Sequence, residues 1–364
     1  MKRREFLKTA GVGVAASAVA APAVAQSMPE IKWRLTASWP KSLDTLYGGC
    51  EHFAKRVAEI TDNRFQIQVF AAGEIVPGLQ VLDAVQAGNV EMGNTALYYY
   101  WGKDPALTFG TALPFGLNAR QINAWQRFAG GTDLMNELLG KNYNCYGIPA
   151  ANTGAQMGGW FRKEIRNLGD MSGLKMRIGG FAGTIMSKIG LVPQQLAAPD
   201  IYPALEKGTL DAAEWVGPYD DEKLGFVRVA KFYHYPGWWE PSSCLMAMYN
   251  IDKFNSLPPL YMEALTSATL EANNWVATKY DAVNAAALKR LAGQGAVLTP
   301  FSQEVMDGCH KAALDLYAEL NQKNAAFKKI YDHYKAFQDD GYFWHQVADY
   351  TMDAYSIRYR TTKT

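Results

Sequence analysis

Metal-ligating side chains and charge of one sign are scarce in this chain of 364 residues. The four cysteines, Cys50, Cys145, Cys244 and Cys309, are widely spaced and form no C-x-x-C pair, which removes the basis for zinc-ribbon or thioredoxin-type chemistry. They are expected to be buried as small apolar residues, although an oxidising compartment would permit a disulfide. The five histidines include no H-E-x-x-H or other short metal pair, and no G-x-S-x-G or phosphate-binding loop is present. With 36 basic and 35 acidic side chains the net charge is +1, so the basic surplus that phosphate contacts demand is missing and a nucleic-acid binder is excluded. Beyond residue 25 no uncharged apolar run approaches the ~20 residues of a membrane-spanning helix.

What the chain has in quantity is apolar and aromatic surface. Apolar residues make up 49% of it, aromatics 13% and charged residues 20%, a composition that buries a large core and argues against disorder. At ~100–200 residues per domain the length predicts two or three lobes. Two lobes make a cleft possible.

Lys2, Arg3, Arg4 and Lys8 precede a small-residue apolar run from Ala10 to Ala25 that ends Ala23-Val24-Ala25. Residues 1–25 therefore read as a twin-arginine export signal with an Ala-x-Ala cleavage site, and a periplasmic protein is expected. Gly11-x-Gly13-x-x-Ala16 lies inside this signal with no strand before it, so it is discarded as a dinucleotide fingerprint. Removal of residues 1–25 leaves 32 basic and 34 acidic side chains, a slightly acidic body.

Ile31, Trp33 and Leu35 alternate with polar neighbours, Leu43 to Ile60 carries helical spacing, and Phe65, Ile67 and Val69 alternate again. This β-α-β start, repeated along the chain, predicts an α/β fold of two lobes around a cleft. The expected boundaries are a first lobe of residues 26–150 with 231–258, a second of 151–230, and a bracing helix with its following segment over 259–300. Residues 301–364 are expected as a C-terminal helical extension. Within it, Phe327, Tyr331, Tyr334 and Phe337 form one apolar stripe and Phe343, Val347, Tyr350, Ala354 and Ile357 another, with a break near Gly341. Such stripes are core or a subunit contact.

A weak internal repeat aligns residues 84–93 with residues 204–213: each reads as a last helical turn, a glycine stop (Gly88, Gly208) and a strand opening with an acid. It is either coincidence in a common unit or a duplicated element. If duplicated, Asn94-Thr95 and Glu214-Trp215 end at the cleft, where ligands of open α/β sheets bind.

Arg177 ends a strand and is followed by a glycine turn and a helix start at Gly179 to Thr184. A guanidinium there offers a planar fork to a carboxylate, helped by the helix dipole, unless it is simply a surface Arg on an edge strand. Asn152, Gln156 and Glu240 stand at the two crossings between lobes. If Glu214, Glu240 and Arg177 meet, an anionic ligand brings the pocket to a net charge of about −2, so a carboxyl stays protonated or a cation sits there. Glutamate, glutamine and carbonyl oxygens suit sodium or calcium and disfavour zinc. The aromatic run Tyr98 to Trp101 is expected at the cleft, with Tyr100 or Trp101 favoured for the pocket wall and Tyr98 and Tyr99 open equally to pocket or core.

The stretches Val81 to Gly88, Leu168 to Arg177 and Tyr202 to Glu214, in this order, resemble those of the extracytoplasmic solute-binding proteins of TRAP transporters. Within that family the chain is similar to the 2-oxo acid branch that takes pyruvate with sodium. The resemblance implies that Arg177 binds the substrate carboxylate and that Gln156, Glu214, the Trp215 carbonyl and Glu240 hold the cation. It further implies delivery to an ion-gradient-driven membrane permease, no catalysis, and a homodimer that exchanges a C-terminal helix. The rival expectations are a periplasmic isomerase or lyase acting on 2-oxo acids, and a ligand sensor for a membrane kinase.

Overall fold

The computed structural model describes residues 28–361. The export signal read at residues 1–25 lies outside them. Strand β1 (Ile31–Ala37) buries Trp33 and Leu35 as its alternation predicts, and runs parallel to β2 (Phe65–Phe70). The connecting helix Leu46–Ile60 turns Leu46, Phe53 and Val57 inward. Strand β3 (Met92–Thr95) joins β1 in parallel, and β4 (Cys145–Asn152) completes this sheet through an antiparallel neighbour, β10 (Cys244–Asn250). The strand order is β2-β1-β3-β10-β4.

A second sheet forms from β5 (Trp160–Phe161), β6 (Lys175–Arg177), β7 (Val192–Gln194), β8 (Ala212–Ala213), β9 (Phe232–Tyr235) and β11 (Val297–Pro300), in the order β11-β9-β5-β8-β6-β7. Two lobes of an α/β fold are thus built as expected, but their boundaries differ from the sequence reading. Strand β9 pairs with β5 and β11, so residues 232–235 belong with the second sheet and the return to the first begins after them. The alternation of Phe232 and Tyr233 is equally compatible with either sheet; only pairing decides. Strand β11 likewise carries the segment after the bracing helix into the second sheet.

The repeat is a duplicated structural unit. The helices Val81–Gln86 and Ala198–Glu206 both end in a turn closed by a glycine at φ +72°, Gly88 and Gly208. That left-handed conformation is where glycine carries no Cβ penalty. The acid that follows caps the neighbouring strand in both copies: Arg34 N donates to Glu91 Oε2 at 2.8 Å, and Lys175 N to Asp211 Oδ2 at 2.9 Å. Strands β3 and β8 then run parallel to β1 and β6 respectively.

The helix Pro259–Gly293 spans 35 residues, ~50 Å at 1.5 Å per residue, with Pro at its first turn. It packs on β4 and on Leu46–Ile60 beside the first sheet, and on helix Pro218–Leu224 beside the second. Tyr280 OH donates to Asp220 Oδ2 at 2.7 Å.

In the C-terminal extension Phe327 and Tyr334 of the first aromatic stripe are buried and Tyr331 and Phe337 half-buried, and the Tyr334 hydroxyl accepts from Leu117 N at 2.7 Å, so this stripe packs onto the first lobe. The second stripe is exposed, Phe343 at 77% and Tyr350 at 63%. No break occurs at Gly341: helix Ala325–His345 runs through it, with Gly341 facing Gln121, and continues through a π-turn at Gln346–Tyr350 into Thr351–Thr361. All four cysteines are buried and free. Among the described residues no helix is long and apolar enough to cross a membrane.

Candidate ligand and cation site

Strand β6 is interior to its sheet, between β8 and β7, so Arg177 is not an edge residue; it is 1% exposed. Its Nη1 donates to the Glu214 carbonyl at 2.8 Å and to Glu214 Oε1 at 2.5 Å, and its Nε to the Leu196 carbonyl at 3.2 Å. The guanidinium lies 4.9 Å from the centre of the Trp215 ring, a cation–π contact that leaves one edge of the fork in view of the cleft. Nη2 has no hydrogen-bond partner. The glycine turn is not a free anion cradle, however. Gly179 N donates to Glu214 Oε1 at 2.6 Å and Gly180 N to Gln195 Oε1 at 2.9 Å, so both amides are spent on ordering side chains.

Glu240, on the returning crossover, accepts from Ser243 Oγ and, at 3.2 Å, from Tyr98 OH, both on Oε2. Gln156, on the outgoing crossover, donates its amide to Thr153 Oγ1 at 3.3 Å and Ser243 Oγ at 3.1 Å. Each of these three side chains is held by one end and leaves an oxygen without a partner: Gln156 Oε1, Glu214 Oε2 and Glu240 Oε1, all buried. Buried acceptors with nothing to accept from are costly, by about 1–3 kcal/mol each and more for charged groups. Burial, then the neighbouring Glu214 charge, pushes the Glu240 carboxyl up to about 8; burial also raises Glu214 against the pull of Arg177. Three buried unpartnered oxygens, two of them carboxylate, make a donor set suited to a hard cation, and the residues present fit one.

Arg177, Gln156 and Trp215 line one cavity together with Trp39, Leu46, Tyr98, Tyr99, Thr153, Val216, Ser243 and Leu245, from both lobes. It measures only about 10 Å³, a cleft shut on a small volume. Four expected residues are not among its lining: Glu214 and Glu240, whose carboxyls bond to the lining residues Arg177 and Ser243, and Tyr100 and Asn152. The Tyr100 hydroxyl is engaged by Leu82 N and Thr95 Oγ1, both at 3.1 Å, beneath the cavity wall. Asn152 accepts from Gly154 N at 2.9 Å and donates toward Asn123 Oδ1 at 3.3 Å, facing away along the crossing. Tyr98 and Tyr99 form the wall because residues 97–100 wind as a short 3₁₀ helix, where successive side chains point about 120° apart instead of alternating as in a strand.

Residues 36–324 match the family described as bacterial extracellular solute-binding protein, family 7. The chain belongs to this family. It is accordingly a solute receptor of the TRAP type rather than an enzyme, and works in the periplasm. The family and the relatives give no support to the isomerase, lyase or kinase-sensor readings. It is 49% identical over 362 residues, 98% of its length and 99% of the other's, to the monocarboxylate 2-oxoacid-binding periplasmic protein of Nostoc sp.. A TRAP solute-binding protein of Bordetella bronchiseptica superposes with a TM-score of 0.91 at 48% identity, covering 92% of this chain and 100% of that one. It was crystallised as a mixed-occupancy dimer with copurified calcium and picolinate. A third relative, from Pseudoalteromonas atlantica, contains sodium and pyruvate and matches with a TM-score of 0.86 at 36% identity over 89% of this chain and 98% of that one.

Within the receptor, the residues that sequence reasoning did not single out are apolar or serve other side chains. Trp39 donates its indole N–H to Asn94 Oδ1 at 2.7 Å, and Ser243 aligns both Glu240 and Gln156. Asn94 was legible as the end of the first repeat copy. Ser243, three residues beyond Glu240, carried no signal.

Proposed function

We propose that this receptor binds a small 2-oxo acid, pyruvate or a near homologue, together with a hard cation, and hands it to a membrane permease driven by an ion gradient. The observation that carries the reading is a set of four buried partnerless atoms: Arg177 Nη2 as a donor and Gln156 Oε1 as an acceptor on residues of the cavity lining, and Glu214 Oε2 and Glu240 Oε1 as acceptors on carboxyls bonded to the lining residues Arg177 and Ser243. A carboxylate answers the first. A cation answers the other three, with the Trp215 carbonyl and the ligand's own carboxylate and keto oxygens completing its shell.

A dicarboxylate would need a second cationic partner, and the charged groups behind the cavity lining, Glu214 and Glu240, are negative. The cation is sodium in our reading; calcium, which would cancel the pocket's charge of about −2 completely, is the alternative. The two relatives of known structure, one with calcium and one with sodium, support a hard ion of either kind. Export by the twin-arginine route rests on Arg3, Arg4 and the Ala23-Val24-Ala25 site. A homodimer through the C-terminal helix is supported by the exposed apolar row Phe343, Val347 and Tyr350.

The test is calorimetric titration of the mature protein with pyruvate in sodium, in calcium, and in choline with a chelator. Tight binding in one metal and loss in choline are expected. Equal affinity in all three, or equal affinity for a C4-dicarboxylate, would overturn the proposal, and chemical turnover of the acid would restore the enzyme reading.

A further inference from the structure

Away from the cleft, on the outer side of the first lobe, a cavity of 440 Å³ opens between helix Ala119–Phe128, β4 and the bracing helix. This is the volume of small-molecule sites in general, and far larger than the closed ligand cavity. Asn273 is 8% exposed and lines it, with an Nδ2 donor that has no hydrogen-bond partner.

That donor ends a chain of amides. Gly154 N donates to Asn152 Oδ1 at 2.9 Å, Asn152 Nδ2 to Asn123 Oδ1 at 3.3 Å, and Asn123 Nδ2 to Asn273 Oδ1 at 3.1 Å. Every bond points the same way, from the interlobe crossing outward, so each polarises the next and strengthens the terminal donor. The chain begins one residue from Thr153, which lines the ligand cavity. It also accounts for Asn152, which the ligand site leaves unused.

The rest of the lining narrows the chemistry. Asn123 and Asn274 add amide donors and acceptors, Tyr146 adds an aromatic face already braced by Phe254 at 4.6 Å, and Arg127 and Asp133 stand at the rim with no ion pair among the described residues. One positive and one negative rim charge give no preference for an ion. Amides, a fork of each sign and one aromatic face are what vicinal hydroxyls and a sugar ring require.

We propose that this cavity is a second ligand site, for a small neutral polyhydroxylated molecule, and that the asparagine chain couples its occupancy to the crossing between the lobes. An oxygen of the ligand accepts from Asn273 Nδ2 and completes the chain. The mature full chain is titrated with D-glucose, trehalose and myo-inositol up to about 50 mM, a range in which millimolar affinity saturates. At least one is expected to bind saturably, with a roughly tenfold loss in Asn273→Asp, which keeps the acceptor for Asn123 and removes the donor. Asn274→Ala, at an exposed position, should weaken binding with an unchanged melting temperature, so the result does not depend on whether Asn273→Asp folds. Pyruvate affinity measured in saturating sugar is expected to change by about fivefold or more.

This last arm rests on the proposed 2-oxo acid reading; the direct titration does not, so the two failures are distinguishable. No saturable binding of any of the three, binding untouched by both variants, or binding with pyruvate affinity unmoved would each overturn the proposal.

Discussion

Arg177→Lys separates the grip on the ligand from the stability of the lobe. Arg177→Ala would confuse them: it leaves Glu214, 0% exposed, without its counter-charge, and breaking a buried pair in this way costs about 3–5 kcal/mol. Lysine keeps one positive charge where Nη1 now meets Glu214 and retains a cation over Trp215, but supplies no second prong where Nη2 stands. The loss is then one charge-assisted hydrogen bond to a carboxylate, about 1.5–3 kcal/mol, or roughly 10–150-fold in affinity. The bond from Nε to the Leu196 carbonyl also goes, so a small fall in melting temperature accompanies it. Calorimetry with pyruvate at saturating cation, beside a melting curve of the free protein, reads both. A lysine variant that folds normally and binds pyruvate within about threefold of the parent would refute the assignment of Nη2 to the ligand carboxylate.

Three further outcomes are expected. Asp44, at the first-lobe end of the cleft, accepts from Lys223, from Tyr219 OH at 3.1 Å and from Lys279 at 3.0 Å, clasping the helix beyond β8; Asp44→Ala should raise the ligand off-rate about 3–10-fold with little change in on-rate in stopped-flow, since it touches no ligand. An unchanged off-rate would remove the clasp. Burial depresses His234 from 6.5 to about 4, so the unfolded chain binds its proton first: the contribution is whole above pH 6.5 and is lost as pH falls toward 4, about 3 kcal/mol in all. Denaturant titrations of His234→Phe should show a flatter decline over that window, and an identical slope would contradict it. Truncation after His345 should turn a dimer into a monomer in sedimentation while leaving pyruvate affinity intact; a full-length chain that is monomeric at high concentration would defeat the expectation.

The parts of the fold and site readable from residues alone were those governed by local rules. Alternation at Ile31 to Leu35, the Pro259 start of the bracing helix and the glycine stops at Gly88 and Gly208 each depend on a few neighbouring residues, and each appears where expected. Pairing partners depend on distant chain. Phe232 to Tyr235 joined the second sheet, and nothing within those four residues could announce it. The pocket wall was misjudged for a related reason: the direction of Tyr98, Tyr99 and Tyr100 changes with the winding of one short turn, and three consecutive tyrosines look alike to any propensity.

The charged centre was the more legible part because the chain holds a neutral copy of it. In the first unit Thr36 pairs in register with Gly93, and Asn94 follows; in the second Arg177 pairs with Ala213, and Glu214 follows. The same backbone therefore presents a threonine and an amide at one strand end and a guanidinium and a carboxylate at the other. The neutral pair can be left to structure, and Asn94 duly orients Trp39 as a wall of the cavity. The charged pair needs more than each other once buried, since Glu214 keeps Oε2 and Arg177 keeps Nη2 unmatched. The first copy leaves only the neutral Thr36 hydroxyl unmatched, so the ionic imbalance of the second is the physical ground for the proposed ligand and cation there.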